Sequence, residues 1–230
     1  MDLVDTLRTT GAVREFRGDP VPDDVLYRVL DTARFAPSGG NRQGWRVVVV
    51  HDPDTRRAIR DLYVADWYQY LAMRNHGLTP WAPVTDREAE ARAVQDAPAI
   101  AAEAAAAGGG FAEHFDEIPV MLAIVADLRA LAAIDRDLDR YTFVGGASVY
   151  PFAWNLLLAA RAEGLGGVIT TMPIRHEQEL KTLLHAPDHT AVAAVVALGY
   201  PVRQVRRLRR ELVEAFTTVD RYDGEPFAPA

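Results

Sequence analysis

Cysteine is absent from this chain of 230 residues, and Lys181 is its only lysine. Without cysteine there is no disulfide, no thiolate nucleophile and no cysteine-ligated zinc or iron–sulfur centre, so any redox chemistry has to come from a bound cofactor. The preference for arginine over lysine is compositional and carries no functional reading. Long apolar runs are also missing. The most apolar stretch, Pro119 to Ala126, is too short to span a bilayer, and the start at Met1-Asp2 lacks the basic and apolar regions of a signal peptide. These absences predict a cytoplasmic protein with no membrane partner. A formal net charge of -7 argues against nucleic acid as a partner, while leaving room for a local basic site. Of the six histidines, only His185 and His189 have a metal-like spacing, and Pro187 between them keeps them off a common helical face, so no metal site is read. No Gly-x-Ser-x-Gly element occurs, and neither Gly145-Gly146-Ala147-Ser148 nor Gly164 to Gly167 has the strand-turn-helix order of a dinucleotide fingerprint.

What is present is a 49% hydrophobic chain able to bury a sizeable core in a single domain over residues 1–230. Helical periodicity is found at Asp2 to Thr9, Asp23 to Phe35, Pro53 to about Leu71, Arg87 to Ala107 with a break at Pro98, Gly145 to Glu163, Ile174 to Leu184 and Arg209 to Phe216. Strands are expected at Trp45 to Val50, buried on both faces, and at Pro119 to Ala126, Gly167 to Thr171 and Thr190 to Leu198. Strands set singly between helices predict an α+β or α/β sandwich. Residues of about 63–92, with Tyr63, Trp67, Tyr68, Tyr70 and Trp81 among Gly77, Pro80 and Pro83, read as a lid or excursion. Residues of about 211–230 read as a C-terminal tail. The long helix at Gly145 to Glu163 is apolar almost all round, which calls for burial on more than one side.

The stretch Ala36 to Trp45, A-P-S-G-G-N-R-Q-G-W, joins a helix end to a strand. Pro37 ends the helix, Gly39 and Gly40 open backbone geometry closed to other residues, and Ser38, Asn41 and Gln43 supply hydroxyl and amide groups. Such a loop can hydrogen-bond a flat heterocycle or a phosphate, or it can be an ordinary polar turn. A second polar concentration is Arg203, Arg206, Arg207, Arg209 and Arg210, whose guanidinium forks suit a terminal phosphate; a solvated helix face, or ion pairs to Glu211 and Glu214, is the alternative.

The element P-S-G-G-N-R-Q-G-W is similar to the P-S-x-x-N-x-Q-P-W element of the nitroreductase family of flavin enzymes. Three more matches follow the family's order. Ala12-Val13-Arg14-Glu15-Phe16 resembles its R-S-V-R-x-F element, with Pro20-Val21-Pro22 just after it. G-L-G-G-V-I-T-T at Gly164 to Thr171 resembles its G-L-G strand entry. Leu198-Gly199-Tyr200-Pro201 with the basic cluster resembles its phosphate-binding segment. The matches run from about residue 5 to about residue 212. The resemblance implies an α/β/α sandwich with a central, mostly antiparallel sheet, an interlocked homodimer with flavin at its interface, and FMN as cofactor with NADPH or NADH as electron donor. It further implies that Arg14 stabilises charge on the reduced flavin, that Ser38, Gly39, Asn41 and Gln43 hold ribityl and ring, that Thr170 and Thr171 address N5, and that Arg209 or Arg210 holds the phosphate. Tyr70 and Trp81 are the expected substrate contacts. Thr10, Gly11 and Ala12 stand where the family usually has Arg, Arg and Ser, with Arg8 one turn earlier as a substitute cation.

The activity so implied is ping-pong electron transfer from NAD(P)H to a small electron-poor acceptor such as a nitroaromatic, quinone or enone. Two alternatives stay open. One is a flavin carrier without turnover. The other is a reductive dehalogenase, because T-T-M-P at Thr170 to Pro173 is closer to the iodotyrosine-dehalogenase branch, and Asp66 and Tyr70 share the spacing of the Glu and Tyr with which that branch grips an amino acid, with Arg87 or Arg92 standing in for its distant lysine.

Overall fold

A computed structural model describes residues 2–229. Its centre is one sheet of β1 (Trp45–Val49), β2 (Val120–Asp127), β3 (Gly166–Thr170) and β4 (Thr190–Gly199), in the spatial order β1-β2-β4-β3 with every neighbouring pair antiparallel. The helices are α1 (Leu3–Thr9), α2 (Asp23–Ala33), α3 (Pro53–Asn75), α4 (Arg87–Ala93), α5 (Ala97–Ala106), α6 (Tyr150–Ala162) and α7 (Glu177–Leu183).

The alternation of side chains along β2 explains the layering. Val120, Leu122, Ile124 and Ala126 pack with α2 and α6 on one face, through Leu26, Val29, Phe152 and Leu156. Met121 faces the other way, with Ile59 and Tyr63 of α3, Leu180 of α7, and Phe115. The result is the three-layer α/β/α sandwich that the family resemblance implies, with both inner strands apolar apart from Asp127 and Thr190 at their ends because both of their faces are covered.

Several element bounds differ from those expected. β1 is an edge strand, paired only with β2 and half-buried, so its β-branched run reflects strand propensity and one-sided packing rather than burial on both faces. The helix expected from Gly145 begins at Tyr150, with a 3-10 turn over Val144–Ser148, because Pro151 is accommodated only in a first turn. The break expected at Pro98 falls at Val94–Asp96 for the same reason, with Pro98 in the first turn of α5. Residues 209–216 form no α-helix, only a 3-10 turn at Val213–Ala215. The expected excursion is partly regular helix. α3 is capped by the Asp52 carboxylate, which accepts from Thr55 N at 2.8 Å, and it runs on to Asn75, so Tyr63, Trp67, Tyr68 and Tyr70 are helical. Arg56 fastens this helix to the sheet by donating to the carbonyls of Asp116 (2.8 Å), Val50 (3.0 Å) and Ile118.

The N-terminal segment lies along the far edge. Val13 N donates to Gly167 O (2.9 Å), Arg17 N to Tyr200 O (2.8 Å) and Val202 N to Glu15 O (3.0 Å). This close approach requires bare backbone. A Cβ on Gly166 would lie 2.7 Å from Val13 Cγ2, and one on Gly167 would lie 2.4 Å from Leu198 Cδ2 and 2.6 Å from the Ala197 carbonyl oxygen. Gly167→Ala is expected to lower stability by about 2–3 kcal/mol through overpacking against backbone that cannot yield, read as a reduced urea midpoint at unchanged slope.

Candidate active site

The edge formed by β3 and the N-terminal segment carries three of the expected flavin contacts, Arg14, Thr170 and Thr171. Arg14 is exposed between the Ala12–Gly167 and Phe16–Pro201 bridges and makes no ion pair among the described residues. It lines a cleft of about 660 Å³ with Phe16, Phe111 and Ile118. Tyr63 of α3 is buried at 3% exposure. Burial pushes its phenol pKa up, while a hydrogen bond with Thr170 and the positive charge of Arg14 act in the opposite direction.

A second cavity, of about 490 Å³, opens at the end of β3. Thr171, Tyr70 and Trp81 share its wall with Tyr150, Met172 and Arg175, so three expected site residues from separate parts of the chain do meet. Trp67 stacks on Tyr70 at 5.4 Å between centroids, and Trp81 follows at 6.1 Å. Trp81 has a φ of 54°, a left-handed backbone unusual for an aromatic residue, which turns the 76–86 connection back onto α3. Ala193 is the extra residue of a β-bulge facing Ile124 and Val125, and its carbonyl accepts from Tyr150 Oη at 3.1 Å. The bulge thus shapes the cavity wall.

The basic segment packs beside the N-terminal element. A Cβ on Gly11 would meet Leu208 Cδ2 at 2.8 Å and Val205 Cγ1 at 3.1 Å, so Gly11 is where the C-terminal segment crosses. Among the described residues none of Arg203, Arg206, Arg207, Arg209 and Arg210 has a carboxylate within ion-pair distance, which removes the expected alternative of pairing to Glu211 and Glu214. Arg210 Nη1 donates to Arg209 O at 2.7 Å. Arg206 adds its charge to burial in lowering the pKa of Arg161. Arg8 is also exposed on α1.

The loop after α2 stands apart from these groups. Gly40, Asn41 and Gln43 have φ values of 61°, 53° and 49°. Ser38 Oγ accepts from Gln43 N (2.9 Å), Gly39 N donates to Ser148 Oγ (3.1 Å), and Gln43 Nε2 donates to Asn41 Oδ1 (3.2 Å). The loop leads into β1, at the opposite edge of the sheet from β3. Within one chain, Ser38, Gly39, Asn41 and Gln43 line none of the cavities that contain Arg14 or Thr171.

Asp66 also departs from the expected arrangement. At 7% exposure it accepts from Arg175 Nε at 2.7 Å and lies 3.2 Å from His176 Nε2, so its carboxylate is already engaged and does not stand free beside Tyr70. Arg87 pairs with Glu90 (3.3 Å), and Arg92 lies 3.8 Å from Glu88. Arg175, Tyr150, Met172 and Ala193 were not singled out from the sequence. The one available signal was the place of Arg175 four residues beyond Thr171, at the end of a buried strand. Among the described residues no group of three or more metal-ligating side chains comes together, and no helix is long and apolar enough to cross a membrane.

A sequence model of the nitroreductase family matches residues 7–200. The chain belongs to the nitroreductase family. It is 30% identical over 208 residues to an NADH dehydrogenase of Thermus thermophilus, a match spanning 84% of this chain and 83% of that protein. It is 26% identical over 216 residues to mouse iodotyrosine deiodinase 1, spanning 93% of this chain and 67% of the relative. Among solved structures, oxidised iodotyrosine deiodinase bound to FMN and 3-iodo-L-tyrosine superimposes with a TM-score of 0.63 at 22% identity, covering 96% of this chain and 99% of that one. Nitroreductase-family members are FMN-dependent oxidoreductases, and the chain is an enzyme of this flavoprotein class.

Removing the Asp66 carboxylate leaves a partly buried guanidinium without its partner. Asp66→Ala is expected to cost about 1–3 kcal/mol, the range for a lost charge-assisted hydrogen bond, measured by urea denaturation. Asp66→Asn, which retains an acceptor, is expected to cost less.

Proposed function

We propose that this nitroreductase-family chain passes electrons from NADH or NADPH to a small electron-poor acceptor, a nitroaromatic, quinone or enone, in two half-reactions that share one slot. The observation that carries this reading is the placement of Arg14, free of any ion pair among the described residues, along the edge of β3, whose end carries Thr170 and leads into an aromatic cavity lined by Thr171. The unpaired arginines, the exposed cation at Arg14 and the hydroxyl pair are a donor set suited to FMN. FMN held there would supply the two-electron redox chemistry that the chain's own side chains cannot provide.

The chain's own residues then position and polarise. Arg14, without a carboxylate partner, stabilises negative charge at the pyrimidine side of the ring. Thr170 and Thr171 supply hydroxyl and backbone donors at the N5 side. Arg209 or Arg210 holds the phosphate, and Tyr70 and Trp81 provide flat surfaces against which a planar acceptor stacks. Ser38, Gly39, Asn41 and Gln43 contribute to ribityl and ring from a second copy of the chain, since their loop lies on the other edge of the sheet. A homodimer is therefore part of the proposal. Tyr150 and Trp154 of α6, with Leu3, Val4 and Leu7 of α1, are exposed apolar residues available to such an interface. A single domain, a cytoplasmic location and a C-terminal tail that contacts the partner belong to the same reading.

The dehalogenase reading draws support from Thr170–Pro173 and from the likeness to iodotyrosine deiodinase, but the engagement of Asp66 by Arg175 weighs against it. A carrier without turnover would bind flavin with no saturable reduction by NAD(P)H.

Purified protein is expected to show flavin bands near roughly 370 and 450 nm that bleach on anaerobic titration with NADH or NADPH. Bands that persist would remove the oxidoreductase reading. In stopped-flow mixing, Arg14→Gln is expected to slow this reduction about tenfold to a hundredfold in protein reconstituted with FMN, whereas an unchanged rate would rule out charge stabilisation by Arg14.

A further inference from the structure

We infer that Arg175 selects acceptors bearing an oxyanion, such as an aromatic carboxylate, within the cavity at the end of β3. The inference rests on reading that cavity as the acceptor slot. Its walls are otherwise aromatic, aliphatic or hydroxyl-bearing, with Tyr70, Trp81, Tyr150, Thr171 and Met172 prominent, and Arg175 is the one charged residue among those that line it. A planar ring fits between such walls, and its most favourable charged substituent is negative.

The guanidinium is held for this role on two sides. Its carbon lies 4.1 Å from the centroid of the Trp81 ring, which fixes the plane of the fork. Asp66, carried by α3, takes only Nε, at 2.7 Å. The terminal nitrogens make no hydrogen bond among the described residues, which leaves a two-pronged donor matched to a carboxylate. The Asp66 charge lies behind the fork and offsets it only in part. The other nearby carboxylate, Glu90, lines a neighbouring cavity that also contains Trp81 and Arg175; its Oε2 pairs with Arg87, its buried Oε1 makes no hydrogen bond, and no ion pair joins it to Arg175 among the described residues. No carboxylate lines the cavity at the end of β3 itself.

The test compares 4-nitrobenzoate with the equally shaped but uncharged 4-nitrobenzamide as acceptors for the FMN-loaded enzyme. The expected kcat/KM ratio favours the carboxylate by about tenfold or more, the worth of a charge-assisted pair. Arg175→Gln is expected to bring that ratio close to one, and Arg175→Lys to retain part of it. A wild-type ratio of one or below, or a preference that survives Arg175→Gln, overturns the inference, and the wild-type ratio decides the matter even if the variants fail to fold. Binding of benzoate and benzamide, followed by the flavin absorbance change without any nicotinamide, separates this idea from the proposed activity. Benzoate binding about tenfold tighter in a protein that reduces neither nitro compound would leave the anion site standing and remove the oxidoreductase reading. Equal binding, or none by benzoate, would remove the anion site.

Discussion

Val13 lies against the bare backbone of Gly166 and Gly167, and most of what gives this chain a site follows from that approach. The hydrogen bond from Val13 N to Gly167 O adds the N-terminal segment to the free edge of β3, and those from Arg17 and to Glu15 continue it past the end of β4. Arg14 lies between these anchors, so a long cationic side chain is carried on backbone that is fixed at both ends. The same segment presents Gly11 to Leu208 and Val205. The absence of a side chain there allows the arginine-rich segment to cross close by. One edge of one sheet therefore brings together a cation from the N-terminus, hydroxyls from the middle of the chain and a basic run from the C-terminus, none of which are sequence neighbours.

The other wall of the site depends on the length of α3. Because Asp52 caps the helix and Arg56 ties it to three carbonyls, its distal turns project past the sheet and carry Tyr63, Asp66, Trp67 and Tyr70 over the end of β3. Asp66 is oriented inward and meets Arg175, which comes from the turn after that strand. Trp81 closes the arrangement from the connection beyond the helix, in a backbone conformation that a tryptophan adopts only when its surroundings hold it there. The stacking of Trp67, Tyr70 and Trp81 and the cation–π contact with Arg175 are such surroundings, each contributing on the order of 1 kcal/mol.

Much of this was legible in the sequence, and the rest was hidden for physical reasons. The inner strands announce themselves because both faces are covered and every residue but Asp127 and Thr190, at their ends, is apolar or glycine. Ordered motifs at Arg14, Ser38 to Gln43, Gly164 to Thr171 and the arginine run are readable because each is a local departure in the sequence: a charge, a turn, a bare backbone or a basic run. β1 was misjudged because β-branched residues suit an edge strand as well as a central one, so composition does not report how many neighbours a strand has. The end of α3 was placed four residues early, near Leu71, whereas the helix continues through its aromatic run to Asn75 and stops before Gly77, whose φ is 74°. The expected helix at Arg209 to Phe216 does not form because its apolar residues have nothing to dock against, Leu212, Val213 and Phe216 all being exposed. The role of Asp66 lay beyond any local reading, since its partner is 109 residues away.

The two edges of the sheet set the remaining constraint. Strand order β1-β2-β4-β3 separates the Ser38–Gln43 loop from the end of β3 by three strand spacings, or about 14 Å, before side chains are counted. No rearrangement of a loop already pinned by Ser148 and by its own Ser38–Gln43 contact bridges that gap without breaking the sheet. If the loop's amides are to reach the same ligand as Arg14, they must come from a second molecule. A two-fold partner satisfies this twice over, because one isologous contact brings the loop of each copy to the β3 edge of the other. In the proposed homodimer, the half-exposed β1, the exposed Tyr150 and Trp154 of α6 and the apolar residues of α1 would be the surface through which the two sites complete each other.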